Sequence, residues 1–159
     1  MQDPDSIRQA CRELVGTAPA CYLTLIDADG CPQTTAMLNL RNARQFPNQA
    51  RLHDEDGREF LLYMTTGLTS PKVVRARTNP RASAYFCEPA SFFGLMLGGE
   101  VELVTDPDLK RRLWQEGWTM YYPSGPDGPE YGVLKLVPRT VKGWHAGAAF
   151  DLRTGAGAA

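Results

Sequence analysis

The chain has 159 residues, of which 43% are hydrophobic and 22% charged, and its formal net charge is -1. That length favours one domain with its own core, the missing basic excess argues against general nucleic-acid binding, and no run is long enough to span a membrane. The acidic, polar N-terminus carries no signal-peptide pattern, so a cytoplasmic protein is expected. Four cysteines (Cys11, Cys21, Cys31, Cys87) and two histidines (His53, His145) lack metal-ligand spacing, so no metal is expected and buried, reduced thiols are the default.

Asp3-Pro4-Asp5-Ser6 begins a helix whose stripe of Ile7, Ala10, Cys11, Leu14 and Val15 should cover the side or mouth of a sheet, with Gly16 ending it. Residues 20–26 are β-rich, Asp27 to Gly30 form a turn, and 31–40 resume as a second strand, which makes a hairpin. Residues 41–58 are polar, carry Pro47, Asn48 and an Asp-Glu-Asp-Gly turn, and are expected to be a long loop with little to pack, His53 included. A buried strand follows over 60–64 and breaks at Thr65-Thr66-Gly67. Ser70 and Pro71 then start a short helix that continues through Val73, Val74 and Arg77 and stops at Asn79-Pro80. Strands are expected over 82–87 and 92–104, the latter with a bulge at Gly98-Gly99. Asp106-Pro107 opens another helix with Leu109, Leu113 and Trp114 on its apolar side, and residues 120–131 form a loop. Two β segments, 131–137 and 140–144, are expected on either side of Pro138, and the Ala/Gly-rich tail 146–159 is expected to be mobile. The domain therefore covers 1–145.

Six or seven strands with short helices, and no regular alternation of strand and helix, predict a mainly β protein: an antiparallel barrel with helices at its margins. Three tryptophans and six tyrosines exceed what one small barrel needs inside, which favours a homodimer.

The stretch richest in chemistry is Thr65 to Lys72. A hydroxyl-rich loop delivers a helix N-terminus with Lys72 in its first turn, where unpaired N–H groups and the helix dipole attract an anion such as phosphate. The competing reading is an ordinary helix start with a solvated lysine. The pattern is not that of a nucleotide-hydrolysing P-loop.

The motif T-x-x-x-S-x-K from Thr66 to Lys72, N-P-R-A-S from Asn79 to Ser83, G-E-V-E-L-V-T-D from Gly99 to Asp106, then Leu113-Trp114, Tyr122-Pro123 and V-x-x-W to Trp144 lie in one order along the chain. Together they resemble the pyridoxamine 5'-phosphate oxidase-like superfamily, and within it the general stress protein branch, over about 6–144. The resemblance implies an FMN-binding split barrel and a homodimer with FMN at its interface. It also implies cofactor contacts from Met37, Leu38, Asn39 and Arg41 on the second hairpin strand, from Met64, Thr65 and Thr66 at the strand end, and from Thr69, Ser70 and Lys72 around the phosphate. Arg41 has a solvated loop role as its alternative. Trp144 is implied either as a partner-chain contact near the flavin or as a structural residue closing the barrel. Two features depart from the oxidases proper: Pro71 stands where they carry an arginine, and their C-terminal arginine-histidine signature is absent. Oxidation of pyridoxamine phosphate is therefore not carried over.

The hydroxyl-rich helix start and the resemblance together imply a flavin-dependent oxidoreductase of unassigned substrate, with Tyr85, Tyr121, Tyr122 and His145 as candidates to line the substrate side and no assigned catalytic residue. The alternatives are a non-catalytic flavin-binding or sequestering stress protein, or the same barrel holding the deazaflavin F420 or haem.

Overall fold

The computed structural model describes residues 3–152. In chain order the elements are α1 (Pro4–Thr17), β1 (Ala20–Ile26), β2 (Pro32–Leu38), α2 (Pro47–Asp56), β3 (Leu62–Gly67), α3 (Pro71–Thr78), β4 (Arg81–Glu88), β5 (Phe93–Leu103), α4 (Pro107–Leu113), β6 (Tyr131–His145) and β7 (Ala148–Leu152). The strands form one sheet in the order β2-β1-β4-β5-β6-β3, with β7 pairing the far part of β6. Every pairing is antiparallel, so β2 and β3, at the two ends of the path, run in opposite directions. The sheet curls until β2 packs against β3 without pairing to it, which is a split barrel.

Period-two alternation decides what fills the barrel. Leu23, Leu25, Phe86, Leu95, Leu97 and Val141 point inward and are fully buried, each contributing roughly 1.5–3 kcal/mol by leaving water. Asp3 caps α1 by accepting from the Ser6 backbone N–H at 3.0 Å, and Ile7, Cys11, Leu14 and Val15 lay that helix on the same core.

Three expectations are corrected. Residues 41–58 are not a loop that packs little: Pro47 starts α2, Gly57 ends it in the left-handed conformation (φ 77), and Gln49, Ala50, Leu52 and His53 are buried. Its low hydrophobicity hid it, because half of the buried face is polar. Pro138 does not split β6. The β5–β6 register shifts between Gly98 and Gly99, so that Gly98 faces Thr140 and Gly99 faces Pro138, and the irregularity absorbs a residue with no N–H to give. The tail begins later than 146. Ala146 (φ 47) and Gly147 (φ 82) make a tight hairpin turn, β7 pairs with 141–145, and Phe150 and Leu152 are buried. Residues 153–159 lie outside the described residues.

A second apolar cluster sits outside the barrel, where Phe46, Leu52, Tyr63, Leu113, Trp118 and Tyr131 join α2, α4 and the 117–131 segment. Trp114 meets Tyr131 edge-on with ring centroids 5.0 Å apart, and Tyr122 meets the same ring at 5.1 Å. Two of the three tryptophans therefore have partners inside this cluster. The third, Trp144, is exposed.

Candidate functional site

β3 sets the geometry of the hydroxyl-rich corner. Leu62 and Met64 point into the barrel core and Tyr63 into the second cluster, so Thr65 and Thr66 emerge on opposite sides of the sheet. Thr66 Oγ1 lies 3.0 Å from Ser70 Oγ, and the Thr66 side is buried. Thr65 instead lies on the side of the second cluster near Tyr122, whose phenol pKa burial pushes above the usual tyrosine value.

The turn between Thr66 and Ser70 is anchored by its backbone. Leu68 N–H donates to the Glu130 carbonyl at 2.8 Å and Ser70 N–H to the Gly67 carbonyl at 3.0 Å. Gly132 on β6 gives the Leu68 side chain its place there, because a Cβ would stand 2.5 Å from Leu68 Cδ2 and push it aside. Ser70 takes the N-cap position of α3 with extended backbone but makes no side-chain cap bond, since its hydroxyl faces Thr66. The helix start thus keeps uncapped N–H groups beside two converging hydroxyls, with Lys72 half-buried one position past Pro71 and Thr69 exposed on the loop. That donor set suits the phosphate of FMN: neutral hydroxyls, one cation and a helix N-terminus, with no carboxylate of the described residues hydrogen-bonded to any of them.

The other expected contacts are not all brought to this corner. Met37 and Met64 are buried in the barrel core, and Leu38 is exposed on the outer sheet face. Asn39, 1% exposed, donates through Nδ2 to the carbonyls of Val15 at 2.7 Å and Ala18 at 2.8 Å, tying β2 to the end of α1. Arg41 Nε donates to the Leu61 carbonyl at 2.7 Å and Nη2 to the Arg58 carbonyl at 3.2 Å. Leu61 precedes Thr66 by five strand positions, about 16 Å at the usual rise, so Arg41 belongs to the opposite end of β3 from the cradle. It is also not a solvated loop arginine, because burial pushes its guanidinium down from its ordinary value.

The outer face of the sheet joins Tyr85 and Trp144, both singled out from the sequence, to Tyr22, Met96 and Lys142, which sequence reasoning missed. Tyr22, Tyr85, Met96 and Lys142 stand side by side across β1, β4, β5 and β6, and Tyr22, Leu38, Tyr85 and Trp144 are each 40–48% exposed. Gly94 makes this face possible: a Cβ there would lie 2.0 Å from the Tyr85 hydroxyl, so the ring lies across the β5 backbone. Tyr85, Met96, Trp144 and Phe150 line an open apolar cavity of about 570 Å³. The sequence signal was the glycine in Phe92-Phe93-Gly94, whose purpose depends on a tyrosine on the neighbouring strand. Of the other substrate-side candidates, His145 stacks on Phe93 at 4.4 Å and Tyr121 is exposed.

Trp144 lies well along β6 from the cradle. Thr66 pairs with Gly132, and Trp144 lies twelve residues further along the same strand, on the order of 40 Å if extended.

Comparison with known proteins agrees with this architecture. No curated protein matches the chain significantly. Among solved structures, a Clostridium acetobutylicum protein related to general stress protein 26 of B. subtilis, of the pyridoxinephosphate oxidase family, superposes with a TM-score of 0.75 at 23% identity, covering 94% of this chain and 95% of its own. General stress protein 26 from Bacillus anthracis str. Sterne gives 0.66 at 16% identity, with 92% and 98% covered. A pyridoxamine 5'-phosphate oxidase-related, FMN binding protein from Nostoc punctiforme PCC 73102 gives 0.59 at 15% identity, with 91% and 86% covered. At these identities the superpositions speak for the fold. The sequence model of pyridoxamine 5'-phosphate oxidase matches residues 7–145, nearly the whole described chain, and the protein belongs to that family.

Proposed function

We propose that the protein binds FMN in a homodimer and acts as a flavin-dependent oxidoreductase. The observation that carries the reading is the cradle: Thr66 and Ser70 hydroxyls 3.0 Å apart at the uncapped start of α3, with Lys72 in the first turn, in a member of this family. Ser70, Thr66, Lys72 and the α3 N–H groups would hold the phosphate, and the bound flavin would supply the capacity to accept and give electrons. A second copy supports the ring end of the site. Trp144 stands twelve residues along β6 from the strand position that pairs with Thr66, the exposed aromatic face of Tyr22, Tyr85 and Trp144 offers a surface for a partner to cover, and the partner's equivalent tryptophan could then approach the ring. Four free thiols suit a reducing compartment, and we place the protein in the cytoplasm. Among the described residues no helix is long and apolar enough to cross a membrane.

A specific observation favours the non-catalytic alternative. The two hydroxyls at the helix start hydrogen-bond each other, Thr66 with Ser70, and Lys72 beside them is placed to hold an anion rather than to move a proton. One experiment separates the readings. FMN is titrated against the protein by fluorescence quenching, and the loaded protein is mixed anaerobically with NADH or NADPH. Quenching with rapid bleaching of the flavin supports the oxidoreductase, quenching without reduction supports a binding protein, and no quenching rejects both.

A further inference from the structure

We propose that the cavity between α1, α2 and the 57–60 connector binds a small organic carboxylate, its head group paired with Arg41 and its apolar body lying on Val15 and Phe60. The cavity, about 370 Å³, is lined by Arg12, Val15, Arg41, His53, Arg58 and Phe60 among others. It is separate from the cradle, at the other end of β3, and the inference does not rest on flavin binding.

Charge is the first argument. Four guanidiniums (Arg8, Arg12, Arg41, Arg58) gather here with three carboxylates (Asp54, Asp56, Glu59), an excess of one positive charge. Glu59 is bridged by Arg8 and Arg12, and Asp56 is bridged by Arg58 at 2.6 Å. Arg41 is half-buried and forms no ion pair among the described residues, although the carboxylates of Asp54, Asp56 and Glu59 lie near enough to favour its charge. A half-buried guanidinium with no bridging carboxylate is incompletely compensated, and an anion that pairs with it directly completes that compensation. The carbonyls of Leu61 and Arg58 engage Nε and Nη2, which leaves Nη1 to donate to a carboxylate oxygen.

Shape is the second. His53 cannot compete for the anion as a cation, because burial pushes its pKa down to about 4 and both ring nitrogens are already bonded, one to the Gln49 carbonyl at 2.7 Å and the other to the Tyr63 N–H at 3.0 Å. Phe60 is a non-glycine residue held at φ 60, a conformation that persists only where its surroundings fix it, and it lines this cavity together with Val15. An apolar floor beneath one excess positive charge matches a monoanion with a hydrophobic body better than it matches inorganic phosphate.

The test is a ¹H–¹⁵N titration of the full chain with sodium benzoate, and separately with sodium phosphate. Saturable benzoate shifts at Val15, Gly57, Glu59 and Phe60, without matching shifts at Gly67 to Lys72, are expected, and Arg41→Gln should weaken that binding by about tenfold or more. The proposal is overturned if benzoate moves none of these amides, if phosphate moves them and benzoate does not, or if a folded Arg41→Gln protein responds like the wild type. Should Arg41→Gln fail to fold, the wild-type maps alone decide between these outcomes.

Discussion

At the Leu62 end of β3, polar side chains are used to hold the chain together. His53 joins α2 to the strand through Gln49 and Tyr63, and Arg41 holds two carbonyls of the connector that precedes the strand. At the Gly67 end, polar side chains face one another and the helix start has no side-chain cap. The length of one short strand separates an end where a buried histidine and the connector carbonyls are matched inside the chain from an end where two hydroxyls meet only each other beside a helix start with no side-chain cap. A buried group satisfied within the chain contributes to stability, and a converging set of hydroxyls at a helix start suits binding. Loss of His53 at the first end should therefore change folding, and mutations at the second should change affinity.

The largest expected effect is His53→Leu, which leaves the buried Tyr63 N–H unpaired, removes the imidazole's bond to the Gln49 carbonyl, and should lower unfolding free energy by about 3 kcal/mol in urea denaturation. Flavin affinity per folded molecule should be unchanged. The same histidine gives a pH dependence. Its pKa falls from an ordinary 6.5 to about 4 on folding, with burial the main cause and the Arg41 charge the next, so between those values the unfolded chain binds a proton that the folded chain refuses. Stability should accordingly fall as pH drops from 6.5 toward 4, by on the order of 3 kcal/mol, and the slope should be absent in His53→Leu.

At the binding end, Lys72→Ala should weaken FMN affinity by roughly 10- to 100-fold, the usual worth of a charge-assisted contact, while the urea midpoint stays put. Thr66→Val preserves shape and removes one hydroxyl of the pair, and a loss of about fivefold in FMN affinity is expected in the same titration. The smallest effect should come from Arg112→Ala. Its exposed ion pair with Glu55 joins α4 to α2, and such pairs contribute about 0–1 kcal/mol, with no change in FMN titration. If Lys72→Ala proved to be a folding mutant, or His53→Leu a flavin-affinity mutant with normal stability, the contrast between the two ends would fail.

Much of the fold was legible in the residues. The hairpin over Ala20–Ile26 and its partner, the Ser70-Pro71 helix start and the Gly98-Gly99 irregularity all carry local signals, namely alternation, turn residues and caps, which act over a few positions. α2 was missed because Gln49 and His53 are buried by partners far away in the sequence: the Leu113 carbonyl for one, the Tyr63 N–H for the other. β7 was missed because its alternation rests on Phe150 and Leu152 alone.

By itself, the sequence determined the antiparallel barrel class, the family motifs and the hydroxyl-rich start of α3, because each is written in neighbouring residues. Only the tertiary structure decided that Arg41 serves β3 at the end away from Lys72, that Thr65 and Thr66 face opposite sides, and that Trp144 stands exposed beside Tyr85 on the outer face of the sheet. Those are matters of strand alternation and register, and of lengths along strands, which exist only once distant segments have paired.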